Sequence, residues 1–383
     1  MDKKEADVIR SDIERAIIGQ KKQGKKIIGC FPLYPPVELF ESMGLLPLTL
    51  WNLNASIHGL TESDKHVQNY SCGIARELVQ FVLSGTGELL DGIFSYNACD
   101  TLRNLPEILA LGNKDAGRNI PMLRMHLPQV NPSQVNPDEY LKNEIARLIE
   151  ATENAFGTGF SEENFVITVK KYRRMRSLCL DAEQLVARGA LSFGSFCSVV
   201  LANYALPVEE QIKHLEGLIA GKDTGNPPAT TGVMVSGIMP PPAAVVKAME
   251  KSNLCVAAND IGSLGRSYGY SPEITTDPGD YYAELFAKRR PCTTLLYQSD
   301  RRIQAFLDTV KRSRAKGVVF SGEKFCEYEY FEFPYLEKRL KEEGVPTLFL
   351  EFSVDDTDNV GAYSTRVEAF AEMLDKTDGG KEA

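Results

Sequence analysis

Each half of this 383-residue chain carries the same run of signals: a short apolar stretch, a proline cluster, a helical stretch and a second apolar stretch. In the first half these are Lys26 to Phe31, Pro35-Pro36, the segment VELFESMG and Leu46 to Trp51. In the second half Val233 to Gly237, Pro240-Pro241-Pro242 and Cys255 to Ala258 hold the same places. A strand, a helix with proline in its first turn and another strand make a βαβ unit, and βαβ units build parallel sheets. The repeat continues further along. Asp91 to Ser95 matches Lys316 to Ser321, and Ile120 to Leu123 matches Val345 to Leu348. The expected fold is therefore α/β, with two similar doubly wound parallel-sheet domains of the flavodoxin or Rossmann kind joined by a helical segment. The expected division is 1-136 for a first domain with an N-terminal helix, 137-220 for the helical segment and 232-375 for the second domain, with GKDTGNPPATT as a linker.

Hydrophobic residues make up 43% and charged residues 25% of the chain, the balance of a soluble globular protein. The net charge is −9 and no basic stripe occurs, which argues against nucleic acid as a partner. The first residues, MDKKEADVIRSDIERAI, read as a charged amphipathic helix and not as a signal peptide. No apolar run is long enough to cross a membrane, so the expected compartment is cytoplasmic. Eight cysteines occur, and in a reducing compartment they are expected unpaired or metal-bound. None forms CxxC, and the four histidines form no HExxH, so neither a zinc ribbon, a thioredoxin motif nor a histidine-rich metal site is indicated.

Two cysteines hold matching places in the repeat. Cys99 lies five residues past Phe94, and Cys326 lies six past Phe320, each after a predicted strand and at the start of a predicted helix. Ligands of open α/β sheets bind outside the carboxyl ends of the strands. Helix N–H groups at such a place lower the pKa of a thiol. Cys72 follows Ser71, the expected N-cap of the helix that leads into the Cys99 strand, and reaches the same edge. Three thiolates there suit an iron–sulfur cluster with one iron left open, or zinc with three cysteines. Burial as small core residues is the plain alternative, and the residues alone leave all three readings open. Cys179 and Cys197 fall on a helical run and read as helix core. Tyr34, Tyr70, Ser95 and His58 lie near predicted strand ends or in the loop before Cys72, and each reads either as a hydrogen-bond partner for a substrate or cluster sulfide or, more simply, as ordinary loop polarity. Asp100 and Glu327 each follow a cysteine and read equally as an acid or base and as a carboxylate at a helix start.

The segments KKIIGCFPLYPPVELFESMGLLPL, Asn69 to Glu107 and Arg314 to Glu351 carry YSCxxAR, ACDTLRNL and a late KFC followed by PYL. In this combination the chain resembles the 2-hydroxyacyl-CoA dehydratase and benzoyl-CoA reductase family. The wording is closest to the C-type subunit of the benzoyl-CoA reductases, and the helical middle matches least. The resemblance implies a [4Fe-4S] cluster held between two α/β domains by Cys72, Cys99 and Cys326. It also implies an acyl-CoA substrate, a homologous sister subunit in a heterodimer or homodimer, and a separate ATP-hydrolysing iron–sulfur activator that delivers a low-potential electron. ATP use falls to that partner, because GTGELL at Gly85 lacks the GK[ST] of a P-loop. In the dehydratases the electron turns the thioester into a ketyl radical that expels the C2 hydroxyl; in the reductases it reduces the aromatic ring. The expected activity is oxygen-sensitive ring reduction of the benzoyl-CoA type. The alternatives are a dehydratase subunit (a lyase) and a non-catalytic electron-transfer subunit. Arg266 is then a candidate partner for a CoA phosphate. After Cys326 the chain reads EYEYFEFPYL where the family often has Asp-Pro, a departure close to the third ligand.

Overall fold

A computed structural model describes residues 12–51, 53, 57, 59–128, 137–222, 230–295, 299–354 and 360–379. The first half runs α1 (Asp12–Lys22), β1 (Lys26–Cys30), α2 (Val37–Ser42), β2 (Leu45–Thr49), α3 (Gly73–Leu83), β3 (Gly92–Tyr96), α4 (Asp100–Asp115) and β4 (Met122–Met125). Four helices follow: α5 (Pro137–Phe156), α6 (Glu162–Ala187), α7 (Phe193–Ala202) and α8 (Val208–Ile219). The second half runs β5 (Thr231–Gly237), α9 (Ala243–Lys251), β6 (Leu254–Ile261), α10 (Gly265–Tyr268), α11 (Pro278–Lys288), α12 (Ser299–Ser313), β7 (Gly317–Glu323), α13 (Glu327–Glu342), β8 (Thr347–Phe352) and α14 (Val360–Gly379).

The strands form two four-stranded sheets, ordered β2-β1-β3-β4 and β6-β5-β7-β8, and every pairing is parallel. The second order is the first with each strand moved four places along the chain, so the sequence repeat is a repeat of topology. The expected α/β fold with two doubly wound sheets is the one observed. The second sheet shows why its strands read as unbroken apolar runs. Val233, Val235 and Val319 pack on one face with Phe196, Val245 and Phe370. Met234, Val318 and Phe320 pack on the other with Phe306, Leu336 and Leu340. Side chains alternate along a strand, so a sheet covered on both faces needs apolar residues at every position. Each side chain fully buried in this way stabilises the fold by about 1.5–3 kcal/mol.

Contacts divide the chain into two compact units. One comprises Met1–Arg173, Ala202–Gln211 and Pro272–Ala287; the other comprises Arg174–Leu201, Ile212–Ser271 and Lys288–Ala383. The first unit thus takes in α11 from late in the sequence. Its docking is both aromatic and polar: the Tyr281 and Tyr282 rings pack against Phe165, their hydroxyls donate to the buried Glu38 carboxylate at 2.9 and 3.0 Å, and the Leu39 N–H donates to the Tyr282 oxygen. Both central strands begin close to a glycine that an aromatic ring covers. A Cβ at Gly92 would stand 2.4 Å from the Phe156 ring, and one at Gly317 would stand 2.7 Å from the Phe370 ring.

Helix starts differ from the sequence expectation by about one residue. Pro36, expected inside the first turn, is the N-cap of α2. The N-cap of α3 is Cys72 and not Ser71: Cys72 is extended (φ −59, ψ 146), while its carbonyl already accepts from Ala75 and Arg76. At the start of α6 the Asn164 N–H donates to the Ser161 hydroxyl at 3.4 Å. At the other end α14 runs to Gly379, past the expected limit at 375. Among the described residues no helix is long and apolar enough to cross a membrane.

Candidate functional site

Cys72, Cys99 and Cys326 are the N-cap residues of α3, α4 and α13. No disulfide involves any of the eight cysteines. Cys30 and Cys255 lie in strands, Cys179 and Cys197 are buried inside helices as expected, and Cys292 is buried next to Arg266. The Cys99 sulfur accepts the Leu102 N–H at 3.4 Å, closing the first turn of α4. Its thiol does not titrate as expected from a helix start. Burial pushes the Cys99 thiol up, and the N–H groups of Leu102 and Thr101 pull it down by less.

The chain before Cys72 is tied to the helix that follows it. The Gln80 side chain accepts the N–H groups of Glu62 and Ser63 at 2.8 and 3.1 Å, and Arg76 pairs with Asp64 at 3.1 Å. The exit of β3 is held by Asn97, whose amide donates to the Leu127 carbonyl at 3.1 Å and accepts the Leu127 N–H at 2.6 Å. Beside it the Tyr96 hydroxyl donates to the Leu33 carbonyl, fixing the loop that leaves β1. The exit of β7 uses carboxylates. Glu323 accepts the Ser353 hydroxyl and the Val354 N–H, both at 3.1 Å. Glu329, in the first turn of α13, accepts the Ile238 N–H at 2.6 Å and the Glu323 N–H at 2.8 Å. Sequence reasoning singled out none of Asn97, Glu323 and Glu329. The one legible signal was Cys326-x-x-Glu329, the spacing of a capping box.

The other candidates fall in different settings. Tyr34 sits in the loop after β1 with φ +75, a left-handed conformation rare outside glycine. Ser95 is buried in the body of β3, opposite Arg124 of β4. Tyr70 is 66% exposed in the turn before Cys72. His58 lies outside the described residues. Asp100 and Glu327 are exposed, and Asp100 pairs with Arg103 at 2.9 Å.

Arg266 does not present itself to a phosphate. It is 2% exposed and bonded to Asp260 at 2.9 and 3.2 Å, to the Ser236 hydroxyl and to the Cys292 sulfur. Arg302 grips the same carboxylate at 2.6 and 3.0 Å and holds Glu332 with its remaining donors. Burial pushes the Asp260 carboxyl up, but the two guanidiniums outweigh it and hold it well below the carboxylate range. The loop after Asn259-Asp260 therefore folds inward because Asp260 recruits its arginine. The cavity left between Ser236, Ser321, Arg266 and Glu329 measures about 10 Å³, too small for any acyl group.

Among the described residues, no three His, Cys, Asp or Glu side chains stand together as a metal cage. Cys72 and Cys99 belong to the first unit and Cys326 to the second. The donor chemistry nevertheless fits an iron–sulfur cluster. Three thiols, none in a disulfide, each stand at a helix start, where backbone N–H groups favour a bound anion such as a thiolate-ligated cluster.

Residues 32–374 match the family model "2-hydroxyglutaryl-CoA dehydratase, D-component". The chain is 26% identical to the (R)-phenyllactyl-CoA dehydratase beta subunit of Clostridium sporogenes, over 96% of this chain and 97% of the relative. It is 28% identical to the (R)-2-hydroxyglutaryl-CoA dehydratase subunit beta of Acidaminococcus fermentans, over 92% and 94%. Identity to the C-type subunit of the benzoyl-CoA reductase of Thauera aromatica is 25%, over 86% of each chain. The family model spans nearly the whole chain, and the relatives, all enzyme subunits, are matched over most of their length: the chain belongs to the 2-hydroxyglutaryl-CoA dehydratase D-component family of enzyme subunits.

Proposed function

We propose that this chain is the cluster-bearing subunit of an oxygen-sensitive 2-hydroxyacyl-CoA dehydratase, with Cys72, Cys99 and Cys326 as the protein ligands of a [4Fe-4S] cluster. The supporting observation is positional. These three cysteines open helices α3, α4 and α13, whereas Cys30, Cys179, Cys197 and Cys255 lie inside strands or helices. A bound cluster would relay the activator's low-potential electron, which a CoA thioester needs before its C2 hydroxyl can leave. The chain's own residues fix the three thiols, and Tyr34, Tyr70, Ser95 and His58 are the candidates for contact with the substrate. With no P-loop in the sequence, ATP hydrolysis belongs to a separate activator. The enzyme is completed by a homologous sister subunit.

Ring reduction of benzoyl-CoA is the second reading, favoured by the similarity to the Thauera aromatica protein. Anaerobic turnover with the activator separates the two. Elimination of water from a 2-hydroxyacyl-CoA with no reduction of benzoyl-CoA supports the dehydratase, and the reverse supports the reductase. The cluster itself is tested on the chain alone, purified without oxygen. About four irons and four sulfides per chain are expected, with a reduced-state EPR signal. Changing Cys72, Cys99 or Cys326 to Ser abolishes normal loading; iron content unchanged in all three variants overturns the assignment.

A further inference from the structure

The turn that presents Cys326 contains one left-handed residue. Phe325 has φ +62, and the residue is 49% exposed. A side chain in that conformation persists only where its surroundings fix the backbone on both sides. Packing does little here, since the residue leaves about half of its surface to solvent. Hydrogen bonds do more. The Cys326 N–H donates to the Glu323 carbonyl at 3.0 Å, and the Cys326 carbonyl accepts from Glu329 at 3.1 Å and Tyr330 at 3.2 Å. The Glu329 carboxylate then reaches back over the turn and spends one oxygen on the Glu323 N–H and the other on the Ile238 N–H.

In an ordinary capping box the glutamate three residues into a helix takes the N–H of the N-cap residue. That N–H is already bonded to Glu323 in this turn. Glu329 therefore reaches further, and one buried side chain ties together the exit of β5, the end of β7 and the first turn of α13. The corner at Cys99 is closed differently. Three residues after Cys99 stands Leu102, whose N–H donates to the Cys99 sulfur itself.

We propose that Glu329 is a positioning residue for Cys326: its two backbone hydrogen bonds hold the 323–329 turn so that the thiol stands at the mouth of α13. The proposal rests on the reading of Cys326 as a cluster ligand. It assigns to Glu329 the supporting role that groups behind a metal ligand commonly play, orienting the ligand without touching the metal. Glutamine is the informative substitution. Its carbonyl replaces one acceptor, while its NH₂ meets the second backbone N–H as donor against donor.

The test compares Glu329→Gln, Glu329→Ala and, as a control for general loosening, Leu336→Ala, which removes a fully buried side chain from the same helix. Two quantities are read. One is the alkylation rate of Cys326 relative to Cys99 in the iron-free full-length chain, by mass spectrometry. The other is the rate of iron release to a chelator from the anaerobically loaded chain. Glu329→Gln is expected to raise the Cys326 to Cys99 labelling ratio several-fold and to speed iron release by about tenfold. Glu329→Ala is expected to do more, and Leu336→Ala to lower the melting temperature without moving the labelling ratio. A wild-type ratio in both Glu329 variants, or the same change in Leu336→Ala, overturns the proposal. Should Cys326→Ser keep its full iron, the ligand reading falls, and the labelling ratio alone then upholds or overturns the role of Glu329.

Discussion

The β3–Cys99–α4 and β7–Cys326–α13 corners are two solutions to one problem in one repeated topology. Both central strands begin close to a glycine packed under an aromatic ring, and both lead to a cysteine at a helix N-cap. Both also carry, three residues past Phe94 or Phe320, a polar side chain that ties the strand exit to the exit of the outer strand. Asn97 bonds to Leu127 in one, and Glu323 bonds to Ser353 and Val354 in the other. The corners part company in the turn. The first closes with the cysteine's own sulfur on a backbone N–H. The second has one more residue, Phe325 with φ +62, and a buried carboxylate behind it. Around it the second unit adds Asp260 between two arginines, so the mouth of its sheet is filled by its own side chains. One duplicated backbone thus serves as a charge-locked support in one unit and carries two cysteines and a left-handed tyrosine in the other.

The largest expected effect on stability comes from breaking that lock. Asp260→Ala leaves the buried guanidiniums of Arg266 and Arg302 without their shared carboxylate. Removing one partner from a buried ion pair costs about 3–5 kcal/mol. Urea unfolding of the variant should show this loss in the second unit. A loss no larger than that of a surface substitution would mean that the network contributes little and that the contrast between the units is only geometric.

Much of this comparison was legible in the sequence, for identifiable reasons. Parallel strands buried on both faces leave unbroken apolar runs, so Lys26 to Phe31 and Val233 to Gly237 announced themselves, and the prolines marked the helix starts. Cys99 and Cys326 stood out because they follow matching strands at nearly the same distance, five and six residues past Phe94 and Phe320, and both prove to be helix N-caps. The supporting polar residues were not. Asn97, Glu323 and Glu329 bond mainly to backbone groups, and which backbone group lies within reach is a tertiary fact. Arg266 shows the opposite failure: a basic residue in a crevice loop reads as a ligand contact until its distance to Asp260 is known.

The shared clamp gives the next prediction. Asn97→Ala and Glu323→Ala each strand backbone groups at a strand exit, at about 1–3 kcal/mol for a buried group left unsatisfied. Glu323→Ala should cost more, because a fully buried carboxylate is replaced and both a hydroxyl and an N–H lose their acceptor. Equal urea midpoints for Asn97→Ala and the wild type would show that the two exits are not held alike. The glycines beneath the rings should behave alike too. Gly92→Val and Gly317→Val each force a ring aside, at about 1–3 kcal/mol for overpacking. Losses that differ widely between them would show that one covering helix yields and the other does not.

The smallest effect is a difference of sign between the units. In the first, burial raises the Glu41 carboxyl above its ordinary value of 4.5, although the Tyr172 hydroxyl donates to it at 2.7 Å. The folded state therefore holds this proton more tightly than the unfolded chain does. Stability from Glu41 is fully present below 4.5 and is lost as pH rises through the raised folded value. Asp260 in the second unit behaves oppositely. Its folded carboxyl lies below the ordinary 3.8, so its stability is present above 3.8 and is lost as pH falls toward the depressed value. Measured against Glu41→Gln, the wild type should lose relative stability as pH rises above 4.5. Measured against Asp260→Asn, it should lose relative stability as pH falls below 3.8. Urea midpoints of the three proteins on both sides of these values decide the matter. Parallel curves would mean that both carboxyls titrate as they do in the unfolded chain. Opposite slopes would tie each pH response to how its unit holds its charge, by burial in one and by paired guanidiniums in the other.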